Sequence, residues 1–80
     1  MREIRKYGMT FSSTQEMREW EIGEVYLFVM NDESCYNLYE SRKFREAINM
    51  AQGIAGIELT QRDFRKLRES LEEEWQEDFA

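Results

Sequence analysis

Phe64, Leu67, Leu71, Trp75 and Phe79 step along the chain by three, four, four and four residues. At about 100° per residue these five fall within about 120° of arc, the width of a stripe that a helix turns toward a core. A chain carrying that stripe must supply a second apolar surface to cover it. The start of this helix is marked by Thr60, with Asp63 three residues later in a capping-box variant. Upstream, Phe44, Ala47, Ile48, Ala51 and Ala55 also recur at helical spacing, while Arg42, Lys43, Arg45, Glu46 and Asn49 point outward. Ser41 is the expected cap of this second helix. Gly53 and Gly56 bracket its end, and either can take the left-handed cap, with Ile54 or Ile57 behind it as the apolar contact such caps favour.

The first half of the chain reads as strands. Ile4 to Phe11 alternates, with Arg5, Tyr7, Met9 and Phe11 on one side and Lys6, Gly8 and Thr10 on the other. Ser13 and Glu16 have capping-box spacing, which predicts a short helical turn over 14–19; the alternative is a strand from Met17 to Ile22. Glu24 to Met30 is rich in β-branched and aromatic residues and predicts a strand apolar on both faces, central in its sheet or covered on its second face. Residues 31–34 then read as a hairpin loop, and Cys35 to Tyr39 as the returning strand, with a helix capped by Asn37 as the weaker option. The expected fold is α+β, one domain over residues 1–80: a small antiparallel sheet of two or three strands with two α-helices packed on one face, in the order β-β-β-α-α.

Composition closes off several functions. There is no histidine, which removes the usual general base and zinc ligand. No phosphate loop, calcium loop or Ser/His/Asp set is present, so no catalytic residue, metal or cofactor is expected, and the chain reads as not an enzyme. Cys35 is the single cysteine and cannot form an internal disulfide, which fits a reducing cytoplasm; its expected role is a small buried hydrophobe. Residues 1–7 lack the apolar run of a signal peptide. The six residues Val25–Met30 fall far short of the roughly 20 a membrane-spanning helix needs.

Charge is the remaining lead. Seventeen acids against eleven bases give a formal charge of −6, which repels nucleic acid and anionic membranes unless a local patch overrides the sum. Glu69, Glu72, Glu73, Glu74, Glu77 and Asp78 follow one another with no base among them, directly after Arg62, Arg65, Lys66 and Arg68. That order opposes the helix dipole, which favours acids at the start and bases at the end. The acidic run is therefore the candidate partner-binding surface, for a larger protein with a basic surface, and Glu73, Glu74 and Glu77 lie off the apolar stripe. The basic run is the alternative, a nucleic-acid contact. It begins a helix that follows another across a glycine-containing turn, similar in outline to a helix-turn-helix, although Arg65–Glu69 and Arg68–Glu72 pairing within the helix accounts for the bases without a ligand. A third reading has Tyr7, Tyr26, Phe28, Tyr36 and Tyr39 on an open sheet as the interface of a homodimer or assembly subunit. The first reading leads: a small acidic binding protein that modulates a larger partner as an inhibitor of a nucleic-acid-handling or defence complex. This profile is similar in type to small inhibitors made by phages and mobile elements, without a shared motif. No direct nucleic-acid contact and no membrane contact is expected from the net charge.

Overall fold

A computed structural model of the chain describes residues 3–80; Met1 and Arg2, part of the segment read for a signal peptide, lie outside them. The elements are β1 (Ile4–Lys6), β2 (Met9–Phe11), α1 (Thr14–Asn31), α2 (Glu33–Glu40), α3 (Phe44–Ala55) and α4 (Gln61–Phe79). The class is α+β, with a two-stranded antiparallel sheet and four helices among the described residues. Both strands come from the segment read as one. Ile4 pairs with Phe11 and Lys6 with Met9, and the chain reverses at Tyr7–Gly8. Both turn residues have positive φ, 58° and 71°, the requirement of the tight hairpin turn whose twist matches the strands. Tyr7 holds that backbone with its ring 5.1 Å from Trp20 and its hydroxyl donating to Glu21.

The segments expected as the second and third strands are helical. Ser13 caps α1 as its spacing implies, accepting from the Glu16 N–H at 3.1 Å. The helix then runs through Gly23 to Asn31 instead of stopping near residue 19. Glu21, Val25 and Val29 are buried, one turn apart, whereas Leu27 is 49% exposed. A strand would have put Val25, Leu27 and Val29 on one face. The β propensity of 24–30 is thus overridden by packing at helical period. Asp32 serves both neighbours: its N–H bonds the Phe28 carbonyl at 2.9 Å, ending α1, and its carboxylate accepts from the Cys35 N–H at 3.0 Å, starting α2. A single residue therefore replaces the expected hairpin loop, and Cys35 and Tyr39, four apart, are the buried face of α2. The tyrosines assigned to a sheet face lie on α1 and α2, apart from Tyr7, so the sheet-face interface has no structural basis.

The two expected helices are present, with one change, at the start of α3. Ser41 ends α2, while the N-cap of α3 is Lys43, which makes no side-chain capping bond. At the other end Gly56, at φ 68°, takes the left-handed position, with Ile57 buried behind it. Thr60 caps α4, accepting from the Asp63 N–H at 3.1 Å. The helices bury one another: Val25 and Val29 of α1, Cys35 and Tyr39 of α2, Phe44, Ala47, Ile48 and Ala51 of α3, and Leu67 and Leu71 of α4 form one cluster with Ile57 and Leu59. The sheet does not floor the helices, as the sequence implied; it lies against α1, with Phe11 next to Trp20 at 5.8 Å between ring centres.

Candidate functional site

The candidate residues divide along α4 and then around it. In its C-terminal half, Glu69, Glu72, Glu73 and Glu77 are exposed. Lys6–Glu21 is the only ion pair within 4.0 Å among the described residues, so neither Arg65–Glu69 nor Arg68–Glu72 closes. The acids are left uncompensated at the negative end of a helix dipole, as are the bases at its positive end.

Glu74 behaves differently. Glu74 is half-buried and accepts from the Tyr26 hydroxyl of α1, with both carboxylate oxygens at 2.8 Å. Burial, Glu74 and Asp78 together push the Tyr26 phenol up to about 12. Burial, followed by the same two carboxylates, holds Tyr39 at about 12 as well. Glu74 thus acts inward on α1, while Asp78 is exposed like the other four and reaches the tyrosines only through its charge. The expectation that Glu74 stands clear of the packing is corrected by this bond. Glu74→Lys should cost about 1–2 kcal/mol, since it removes a charged hydrogen bond to a half-buried phenol. Glu73→Lys and Glu77→Lys should each stay within about 0.5 kcal/mol of wild type. Urea unfolding of the three variants measures the difference, and equal midpoints would mean that the Tyr26–Glu74 bond contributes nothing.

The four bases at the start of α4 are separated by the packing. Arg62 and Lys66 line a hollow of about 340 Å³ against α1, shared with Arg18, Glu19, Ile22 and Asp63. Arg65 and Arg68 face α3, where Arg45, Asn49 and Gln52 meet them. Linear spacing marks Arg45 only as an outward residue of α3; its part in a shared surface depends on α3 and α4 lying side by side. Beside the acidic end, Trp75 donates its indole N–H to the Glu40 carbonyl at 3.0 Å, and the Arg42 guanidinium lies 4.8 Å over its ring. These contacts lock α4 to the end of α2 and give the acidic row a rigid base.

Cys35 is buried, and burial followed by Asp32 pushes its thiol up to about 11, so it is a packed side chain with the thiol protonated at neutral pH. Among the described residues no three His, Cys, Asp or Glu side chains gather as a metal site, and no helix is long and apolar enough to cross a membrane. No family model matches the chain, and no match was found among curated proteins or solved structures.

Proposed function

We propose that the chain is a non-enzymatic docking protein whose outward acidic row on α4 engages lysines and arginines of a larger protein. It would modulate that partner by covering a basic surface, as an inhibitor of a nucleic-acid-handling or defence complex would. One observation carries this reading: Glu69, Glu72, Glu73 and Glu77 are exposed along one helix, and no base lies within 4.0 Å of any of them among the described residues. Fixed charge of one sign on a rigid helix steers a complementary surface into register and speeds encounter, while each exposed pair adds only about 0–1 kcal/mol. The row acts as a unit, and its effect weakens once salt shortens the screening length to about 8 Å or less.

The test is affinity capture with the tagged chain, followed by association kinetics with the captured protein at low and physiological salt. Glu73→Lys/Glu77→Lys, which spares Glu74, should reduce the association rate about tenfold at low salt and less at high salt, with dissociation little changed. An unaltered association rate in that variant would place the interface elsewhere on the chain.

A further inference from the structure

The seam between α3 and α4 carries a second charged surface that the docking reading does not use. Arg45, Asn49 and Gln52 follow one side of α3, and Gln61, Arg65 and Arg68 follow the facing side of α4. With Leu59 and Phe64 they line an open groove of about 540 Å³. Gln52 fixes one wall: its side-chain carbonyl accepts from the Leu59 N–H at 2.8 Å, and its amide donates to Asn49 at 3.3 Å. Past Arg68 lies a second hollow of about 250 Å³, lined by Arg42, Lys43, Phe44, Arg45, Glu46 and Arg68. Five cations thus follow one seam, and none is within 4.0 Å of a carboxylate among the described residues. Glu58 and Glu46 are the acids in the two linings.

Two details at the Arg68 end suit an anion. No side chain caps the start of α3, so its first N–H groups, with the dipole behind them, remain free to donate beside the bases. Arg42 holds a left-handed backbone, φ 63°, at the position after α2 that usually belongs to glycine. Its N–H bonds the Tyr39 carbonyl at 3.0 Å and the Lys43 N–H bonds the Leu38 carbonyl at 2.8 Å, the two bonds of a Schellman turn. That backbone is strained for any residue that carries a side chain. The residue kept there is an arginine, braced on Trp75 and lining the hollow.

We infer that the α3–α4 seam binds the phosphodiester backbone of single-stranded nucleic acid, with Arg45, Arg65 and Arg68 as the central contacts and Arg42 and Lys43 extending them. Four of the five cations are arginines, whose forked donors match phosphate oxygens two at a time. The side-chain amides of Asn49 and Gln61 and the half-buried Phe64 ring supply polar and stacking contacts for unpaired bases. Two helices lying side by side offer a trough, not a projecting helix that enters a duplex groove. The local patch must overcome the formal charge of −6, so binding is weak and steeply salt-dependent.

The experiment is fluorescence anisotropy of the full chain with labelled mixed-sequence 12-mers, one DNA and one RNA. Neutralising about three phosphates predicts that affinity falls roughly 15–20-fold between 50 and 200 mM salt. Arg65→Glu/Arg68→Glu should weaken binding at least tenfold. Arg62→Glu/Lys66→Glu, matched in charge but facing α1, should change it less than about threefold, because Arg62 and Lys66 are outside the trough. Arg42→Gly relieves the left-handed backbone but gives up the Trp75 contact, so it should melt close to wild type by circular dichroism and still bind several-fold more weakly. Equal affinity for the two 12-mers identifies the phosphodiester as the recognised group, and a preference for one identifies the sugar that adds to it. Equal weakening by the two reversal pairs would reduce the effect to net charge and overturn the inference. So would the absence of any anisotropy change with about 100 µM protein at 50 mM salt, the weak end of non-specific affinities. A polyglutamate peptide that displaced the oligonucleotides at equal concentration would reassign the trough to acidic peptides, which also overturns it.

Discussion

Leu71→Ala should lower the unfolding free energy by about 2–5 kcal/mol, the range for removing a fully buried leucine side chain from a core that relaxes only in part. Leu71 has no exposed surface and sits in the cluster where all four helices meet. For a chain of this length the total stability is roughly 4–12 kcal/mol, so this one change removes a large share of it. The cost should decline toward the end of the same stripe. Trp75→Ala loses a half-buried ring together with the Glu40 hydrogen bond and the Arg42 contact, and should cost about 2–4 kcal/mol. Phe79→Ala should cost about 1 kcal/mol, because Phe79 remains 43% exposed and its removal leaves no enclosed cavity. Urea unfolding of the three variants tests the order. Leu71→Ala within 1 kcal/mol of wild type, or Phe79→Ala as damaging as Leu71→Ala, would contradict this packing.

The second large effect is expected at alkaline pH. Burial first, then nearby carboxylates, raises Cys35 to about 11 from 9.0, and Tyr26 and Tyr39 to about 12 from 10.0. In each case the folded state holds its proton more tightly than the unfolded chain. The stabilisation is therefore complete below the unfolded value and is lost as pH rises through the folded one, between about 9 and 12. At about 1.4 kcal/mol per unit, Cys35 and Tyr39 contribute on the order of 2–3 kcal/mol each; partly exposed Tyr26 contributes less. Melting temperature should begin to fall near pH 9 and the chain should unfold cooperatively before pH 12. Tyr39→Phe should shift that limb upward at little cost near neutrality, since the Tyr39 hydroxyl is buried without a hydrogen-bond partner. Tyrosine ionisation near pH 10 with melting unchanged would refute the expectation.

α3 and α4 were legible because their apolar positions repeat at one period and their ends carry Gly56 and Thr60, residues with a specific local job. Val25, Tyr26, Phe28 and Val29 misled because β-branched and aromatic side chains fit either a strand or a well-packed helix. What decides between them is the neighbour, here α3 and α4, which no local window contains. Asp32 looked like a turn residue and is two helix caps at once. The acidic row was visible because it is contiguous, but the inward role of Glu74 required Tyr26, forty-eight residues earlier, to lie beside it. Arg45 could not be grouped with Arg65 and Arg68 for the same reason.

The hairpin meets the rest of the chain through Trp20 and Glu21 of α1, which hold Phe11, Tyr7 and Lys6. It shares no side chain with the cluster formed by the four helices. Opening it therefore costs two aromatic contacts on Trp20, the burial of Phe11 and one carboxylate's bonds, and leaves the Leu71 region intact. In native-state amide exchange the strands should form a separate low-energy unit, with protons that exchange at rates set by local release, while those around Val29 and Ile48 should wait for global unfolding. A ligand seated between α3 and α4 would slow the second class and leave the first unchanged, so the hairpin and the helical core report on different equilibria within one spectrum.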